Sequence, residues 1–293
     1  MHDRNETSVF ECRFFRDDEF SVLHKKFIEA FSDYSRPFAF NEERFRNHLV
    51  LNAVDVKRSV GCFLGEELIG ISLNGFGAWD GKATVYDAGT GVIPARRRLG
   101  ASMAMFDLMM PVLKDEGAEQ MILEVITTND PAVNLYKKLG FEIQRELLLL
   151  EAPGRLKIDR EPNMDVVVRQ IAAAELSSFS HFWDGTPSWQ NSNEAIVRSE
   201  HMKTILGAFL GERCVGYLVF SSGQGRVAQF VVDRNFRRHG VGDSLLLAMQ
   251  NKTPENCKMQ VLNVDRAFTE PVQFLQSRGF ETALGQFEMM KPF

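Results

Sequence analysis

The sequence is poor in cysteine, and this argues against a zinc ribbon or a disulfide framework. Four cysteines stand among 293 residues, at Cys12, Cys62, Cys214 and Cys257, and no two form a Cys-x-x-Cys pair. Cys62 and Cys214 lie in apolar, strand-like runs, so we expect both to be buried thiols. No metal site is predicted.

Long apolar runs and a basic excess are also missing. No run reaches the roughly 18 apolar residues of a membrane-spanning helix, and the first residues lack an apolar signal core, so we expect a cytoplasmic protein without a membrane partner. The formal net charge of −5 argues against a general nucleic-acid binder. The hydrophobic share of 44% and the length are those of a soluble globular chain of two ordinary domains.

A short arginine-glycine motif occurs twice. Arg97–Ser102 reads RRLGAS, and Arg237–Gly242 reads RRHGVG 140 residues later (237 − 97). Each copy follows a strand-like run and precedes an amphipathic helix. A glycine loop in that position exposes backbone N–H groups at a positive helix terminus, which favours phosphate binding. Neither copy contains the Gly-Lys-[Ser/Thr] of a nucleotide-binding P-loop.

Two further anchors repeat in the same order and indicate a duplicated domain. Phe63–Glu66 (FLGE) recurs at Phe209–Glu212, and Gly140-Phe141 recurs at Gly279-Phe280. The predicted organisation is a first domain at 1–151, a polar linker at 152–164 and a second domain at 165–293.

Hydrophobic periodicity predicts alternating helices and strands in the first copy, and the second copy repeats this order. The strand at 121–126 is continuously apolar, as in a sheet interior. The short helix before Gly140 is capped by that glycine. Helices are predicted at 19–31, 42–51, 101–113 and 132–139, and strands at 12–15, 59–64, 68–76, 83–93, 121–126 and 141–150.

Two segments carry a family resemblance. VIPARRRLGAS fits the pattern R-x-x-G-x-[G/A], with Ser102 in the last small position, and NDPAVNLYKKLGFE fits N-x-x-A-x-x-L-Y-x-x-x-G-F from Asn129. Together they closely resemble the core motifs of the GNAT superfamily of acyl-CoA-dependent N-acetyltransferases. The resemblance implies an α/β fold with a mixed sheet. It further implies two tandem GNAT folds, each with a mostly antiparallel sheet that is splayed between its fourth and fifth strands and flanked by helices.

The same resemblance implies acetyl-CoA as the cofactor. Its pyrophosphate is expected on the glycine loops and its pantetheine arm along the strand that ends near Val92, with Asn129 and Asn134 as further contacts. An ordinary helix start with solvated arginines is the alternative for one loop alone. The predicted cofactor-binding residues are Val92, Arg97, Arg98, Leu99, Gly100, Ala101, Ser102, Asn129, Asn134, Arg237, Arg238, Gly240, Val241 and Gly242.

The reaction implied by the resemblance is direct acetyl transfer from a thioester to a primary amine. Tyr136 is placed by it to donate a proton to the coenzyme A sulfur, and its alternative role is packing against the sheet. Asp87 is the candidate general base, although it could instead be a structural hydrogen-bond acceptor, and Glu124 on the next strand is a second candidate. The acceptor is a small-molecule or peptide amine, and the sequence leaves the oligomeric state open.

The second copy departs from this pattern at one informative place. Its loop matches the family pattern fully, yet alignment at Gly279 puts Leu275 opposite Tyr136. Leucine cannot donate a proton, so the first copy is predicted to carry the activity. A non-catalytic acyl-CoA-binding module and another acyl or aminoacyl transfer are the alternative functions. Phe38, Phe40, Phe76, Trp79, Phe182, Trp183 and Trp189 either line an acceptor pocket or pack loops.

Overall fold

The computed structural model describes residues 10–34, 41–158 and 165–293, so Phe38 and Phe40 lie outside the described residues. No helix in the described part of the chain is long and apolar enough to cross a membrane.

The chain forms two compact units. The first unit comprises Met1–Leu123, Pro131–Glu142 and Met289–Phe293, and the second comprises Glu124–Asp130 and Ile143–Glu288.

The first unit is a mixed sheet with helices packed on it. Its strands follow the order β1-β2-β3-β4-β5, and neighbours are antiparallel except for the parallel pair β4 and β5. The elements are β1 (Glu11–Phe14), α1 (Phe20–Ala30), α2 (Glu42–Leu51), β2 (Val60–Leu64), β3 (Glu67–Trp79), β4 (Lys82–Val92), α3 (Ala101–Asp115), β5 (Gln120–Ile126) and α4 (Asp130–Lys138).

The second unit repeats this architecture, except that Ala173–Phe182 forms 3-10 turns where the first repeat has the helix α1. Its strand order is β12-β6-β11-β10-β9-β8-β7, with β10 and β11 parallel. This mixed, helix-flanked sheet in both copies confirms the predicted fold class. The elements are β6 (Glu142–Ala152), β7 (Val166–Gln170), α5 (Asn193–Arg198), β8 (Thr204–Leu210), β9 (Arg213–Ser221), β10 (Arg226–Val232), α6 (Val241–Asn251), β11 (Met259–Asp265), α7 (Thr269–Ser277) and β12 (Glu281–Pro292).

The compact units do not follow the order of the sequence repeats. Strand β6 closes the first repeat, yet it pairs with β11 in the second unit, where Glu151 lies opposite Gln260. The last five residues of the chain belong to the first unit, where the Phe293 N–H donates to the Glu119 carbonyl. Each unit thus contains a terminal strand segment of the other repeat.

The parallel strands in each unit part after a few residues. Between β4 and β5 the paired positions run only from Thr84 to Tyr86. Between β10 and β11 only Arg226 and Val227 are paired. A bulge follows in β4 and in β10. Ala88 on β4 has no opposite residue on β3, and Ala228 on β10 has none on β9. In both units the parallel pairing therefore ends well before the strand reaches its glycine loop.

Cys62 is buried, as expected, but the expectation of a free thiol was wrong. Antiparallel pairing of β1 and β2 places Cys12 directly opposite Cys62, with 4.1 Å between their Cα atoms, and the two form a disulfide. That distance is short enough for a bridge between neighbouring strands. The sequence could not reveal this register, because the two cysteines are 50 residues apart. Cys214 is a free thiol, as expected, but it is only half-buried.

Candidate functional site

The two glycine loops have the same backbone conformation. Arg98 and Gly100 have φ values of +66° and +87°, and Arg238 and Gly240 have +65° and +80°. In the first unit Gly100 is exposed and caps α3, and a Cβ atom built on it meets no heavy atom within 4 Å. The first N–H groups of a helix have no acceptor within the helix. The loop before α3 therefore presents backbone N–H donors to open space, as an anion-binding site requires.

The first arginine of each motif links the end of the preceding strand to an aspartate of the same unit. The Arg97 Nε donates to the Val92 carbonyl at 3.1 Å, and its terminal nitrogens donate to Asp33 at 2.6 and 2.7 Å. The Asp33 carboxylate raises the pKa of Arg97. Arg237 repeats the arrangement with the Val232 carbonyl at 3.1 Å and Asp184 at 2.8 Å. Arg98 is left as the exposed cation of the first loop.

The other predicted cofactor residues of the first repeat occupy varied positions. Val92 is buried at the end of β4, and Leu99 is exposed in the loop. Asn134 is exposed on α4. Asn129 belongs to the Glu124–Asp130 segment of the second unit, where its N–H donates to the Ile126 carbonyl. Their roles in cofactor binding stay predictions. Ala101 is buried and Ser102 half-buried in the first turn of α3.

Tyr136 and Asp87, both singled out from the sequence, meet in the first unit. The Tyr136 hydroxyl donates to Asp87 Oδ2 at 3.1 Å. Strand β4 carries the carboxylate and α4 carries the phenol, and both residues are buried, with 6% and 7% of their surface exposed. The other carboxylate oxygen of Asp87 accepts the Gly89 N–H and the Thr90 hydroxyl, each at 3.0 Å. Three donors therefore fix this carboxylate.

Burial has the largest effect on the pKa values of Asp87 and Tyr136. It raises the pKa of Asp87 to about 6, against the lowering effect of its hydrogen bonds from Gly89, Thr90 and Tyr136. Burial and the neighbouring Asp87 charge raise the pKa of Tyr136 well above its usual value. At neutral pH the carboxyl is mostly ionised and the phenol is protonated. The pair thus joins a proton acceptor to a proton donor.

Two members of this cluster escaped sequence reasoning. Thr90 bonds Asp87 and also lies 2.8 Å from the Ser72 hydroxyl. His48 on α2 contacts the backbone of β4 at the Ala88 carbonyl, 2.8 Å from its Nε2. Thr90 stands three residues after Asp87 on the same strand and could have been noticed by its polarity in a buried strand. His48 has no such local signal.

The second unit replaces this polar cluster by apolar residues. With the offsets of the repeat, Asp87 corresponds to Val227, Thr90 to Phe230 and Tyr136 to Leu275. Val227 and Leu275 are buried in the hydrophobic core of that unit, and Phe230 packs against it. The second unit therefore lacks the donor and acceptor that the first unit joins.

Two aromatic rings pack against the first turn of the helix that follows the second glycine loop. A Cβ atom built on Gly242 lies 2.9 Å from the Phe274 ring and 3.3 Å from the Phe230 ring, and these rings contact each other with centroids 5.8 Å apart. Asp243, in the first turn of α6, is buried and accepts two hydrogen bonds from Arg278, at 2.8 and 2.9 Å. A carboxylate there already offsets the positive helix terminus.

The aromatic residues of the 180–194 loop pack within the second unit. Phe182 and Trp189 are buried, with 3% and 2% exposed. The Trp183 Nε1 donates to the Tyr217 hydroxyl at 2.7 Å. This hydroxyl donates in turn to Gln229 at 2.7 Å. The packing alternative accounts for these side chains.

In the first unit, Arg58 lies over the Phe76 ring, 4.8 Å from its centroid.

Two family models match separate parts of the chain. The model described as "Acetyltransferase (GNAT) family" matches residues 20–141, and the model described as "Acetyltransferase (GNAT) domain" matches residues 169–290. Together these matches cover most of the chain. The protein therefore belongs to the GNAT family of acetyltransferases and contains two of its domains in tandem.

Individual relatives either match a small part of the chain or have low sequence identity to it. An "N-alpha-acetyltransferase" of Sulfurisphaera tokodaii is 46% identical over 64 residues, which span 22% of this chain and 38% of that relative. A tandem GNAT protein from the clavulanic acid biosynthesis pathway superposes with a TM-score of 0.68 at 14% identity, over 97% of this chain and 98% of its own. A GCN5-related N-acetyltransferase from Sphaerobacter thermophilus gives 0.71 at 10% identity, over 97% and 95%. These structures share the fold.

Proposed function

We propose that the protein is an acetyl-CoA-dependent N-acetyltransferase that acts on a primary amine, with its active site in the first unit. The observation that carries the proposal is the buried hydrogen bond between Tyr136 and Asp87, one residue beyond the last position at which β4 pairs with β5. Family membership supports the reaction class. The short match to an N-alpha-acetyltransferase favours a peptide N-terminus as one acceptor to test.

The first unit has the features needed to hold the cofactor. The exposed loop from Arg98 to Ser102, with open space at Gly100, suits the pyrophosphate. Beyond Tyr86 strand β4 no longer pairs with β5, and this edge of β4 suits the pantetheine arm. Bound acetyl-CoA supplies the thioester, and the amine nitrogen displaces the thiolate from the acetyl carbon.

Asp87 and Tyr136 can move the single proton that this exchange requires. The carbon–nitrogen bond forms and the carbon–sulfur bond breaks, so the nitrogen must lose a proton and the sulfur must gain one. In the proposed route Asp87 takes the proton from the amine, and Tyr136 gives its own to the sulfur. Tyr136 is then restored from Asp87 across their hydrogen bond. Both side chains return to their starting states.

A thioester assay over a panel of amines tests the proposal. Free coenzyme A is followed with a thiol reagent, and the acetylated product is identified by mass spectrometry. The panel contains peptides with free N-termini, lysine-containing peptides with blocked N-termini, and small primary amines. Binding of acetyl-CoA without amine-dependent release of coenzyme A would favour the binding-module alternative over the enzyme.

The ionisation of Asp87 predicts an acid limb in the pH profile. Only the carboxylate can accept a proton, so kcat is expected to fall as the pH drops through about 6, the pKa set by burial. In Asp87→Asn this limb should disappear, and kcat at neutral pH should fall about 100-fold. Rates from pH 5 to 9 at saturating acetyl-CoA check both points. An acid limb that survives in Asp87→Asn would assign the titrating group elsewhere.

We propose further that the second unit holds no acetyl-CoA. The Phe230 and Phe274 rings at Gly242 and the buried Asp243 carboxylate support this assignment. Calorimetric titration of coenzyme A is expected to give about one equivalent per chain, because only one anion-binding loop is open. Two equivalents, or one that persists in a variant with a blocked first loop, would contradict the assignment.

A further inference from the structure

The C-terminal end of α2 is anchored to β3. The Phe76 N–H donates to the Ala53 carbonyl at 3.2 Å, and the Asp55 N–H donates to the Asn74 carbonyl at 2.9 Å. At Gly75 the backbone of Asn52 comes so close that no Cβ atom would fit. The last turn of α2 is thus held at a fixed distance from the sheet, and with it the side chain of His48.

His48 connects this anchored turn to the β4 bulge. A carbonyl can only accept, so the His48 Nε2 carries a hydrogen and donates to the Ala88 carbonyl at 2.8 Å. Its Nδ1 lies 3.1 Å from the Asn52 amide nitrogen, which donates to it. That amide also donates to the His48 carbonyl at 2.9 Å. Asn52 thereby selects the neutral ring with the hydrogen on Nε2.

One peptide group of the bulge is held at both of its ends. The Ala88 carbonyl accepts from His48, and the N–H of the same peptide, at Gly89, donates to Asp87 Oδ1 at 3.0 Å. Gly89 has a φ of +151°, and a Cβ atom there would lie 3.0 Å from the Phe27 ring. A bulge residue lacks a partner on the neighbouring strand, so its peptide orientation depends on such side-chain bonds.

A connected chain of hydrogen bonds therefore runs from α2 to the catalytic pair. It passes from Asn52 through His48 and the Ala88–Gly89 peptide to Asp87, and ends at the Tyr136 hydroxyl. Every member lies in the first unit. Rotation of the peptide would remove the Gly89 donor from Asp87 Oδ1 and leave that oxygen held by the Thr90 hydroxyl alone, so the carboxylate would be less firmly oriented toward Tyr136.

We propose that His48 is a positioning residue, which orients the Asp87 carboxylate toward Tyr136 by holding the Ala88–Gly89 peptide. This inference rests on the proposed acetyl transfer in the first unit. In this proposal His48 acts through the Ala88–Gly89 peptide and not by exchanging protons with the substrates. Its contribution should appear in the chemical step and not in cofactor binding.

Two substitutions separate the hydrogen bond from packing. His48→Gln places an amide donor near the position of Nε2, whereas His48→Met fills the space without a donor. We expect kcat in His48→Met to fall about tenfold, with the KM for acetyl-CoA within about twofold of wild type. His48→Gln should restore most of kcat. His24→Met is the matched control, because His24 also packs on an aromatic ring of the same unit, Phe45, and is not a member of the chain of hydrogen bonds from Asn52 to Tyr136.

A readout without turnover keeps this inference separate from the proposed function. The Gly89 hydrogen bond lowers the pKa of Asp87. Loss of the His48 anchor should therefore raise that pKa above its wild-type value in His48→Met, but not in His48→Gln or His24→Met. Carbon-13 NMR of labelled aspartate, assigned with Asp87→Asn, measures it in the full chain.

The outcomes of the two experiments are distinct. A raised Asp87 pKa together with a lower kcat and a preserved KM supports the proposal. An unchanged pKa in His48→Met, or an equal loss of kcat in the Gln and Met variants, overturns it. If the wild-type chain shows no turnover with any amine, the proposed function fails while the pKa comparison still decides whether His48 orients Asp87.

Discussion

Replacement of Tyr136 by phenylalanine is expected to reduce kcat by about 100-fold or more at neutral pH. The substitution removes only the hydroxyl, which donates to Asp87 at 3.1 Å and is assigned to protonate the leaving sulfur. The ring contacts with Phe106 and Phe141, at centroid distances of 5.9 and 5.7 Å, remain possible for phenylalanine. The KM for acetyl-CoA should change little, because the anion loop is untouched.

A buried tyrosine of the second unit provides the matched control. Tyr217 is fully buried, and its hydroxyl bonds both Trp183 and Gln229. Tyr217→Phe should lower the free energy of unfolding by about 1 to 3 kcal/mol, because it leaves buried partners without their hydrogen bonds. It should leave kcat unchanged. If Tyr136→Phe retains full kcat from pH 6 to 9, the tyrosine is not the proton donor.

The elements of the fold were predictable because their signals are local. The pattern of Glu42–Leu51 predicted α2 with the bounds that the structure has, and the glycine at position 100 marked the start of α3. Hydrophobic period and cap residues act over a few neighbours, so a single sequence reveals them. The repeat then carried the same assignment into the second half of the chain.

The details of the site depend on contacts between distant positions. His48 reaches Ala88 across 40 residues, and Cys12 reaches Cys62 across 50. Which residue of the YDAGTG segment becomes the extra residue of a bulge is decided by the register with β3. These features follow from strand pairing, which hydrophobic periodicity does not specify.

The small residues of the loops can have more than one structural role. Gly242 completes the family pattern in the second copy, while the first copy has Ser102 at the same place. In the structure the missing side chain at Gly242 makes room for the Phe274 ring, 2.9 Å from where a Cβ would stand. A glycine permits any close approach, by a phosphate or by an aromatic ring, and the sequence motif does not distinguish the two.

Matched substitutions in the two loops give the second large expected effect. Gly100→Asp should raise the KM for acetyl-CoA about 100-fold, because a carboxylate would face the pyrophosphate within a few ångströms. Open space at Gly100 means that the new side chain would clash with no atom of the free protein. Asparagine and aspartate tolerate its left-handed backbone better than other residues do. Gly100→Asn, which has the same shape without charge, should therefore raise KM much less.

The corresponding change in the second unit tests the assignment of the cofactor. Gly240 has nearly the same backbone angles as Gly100, at φ +80° and ψ 0°, but it is buried. Gly240→Asp is expected to lower the melting temperature, while the KM for acetyl-CoA in the folded fraction stays within about twofold of wild type. Steady-state kinetics below the melting transition of each variant make the comparison. If Gly240→Asp raises KM while Gly100→Asp does not, the cofactor binds in the second unit, and Phe230 and Phe274 must move to admit it.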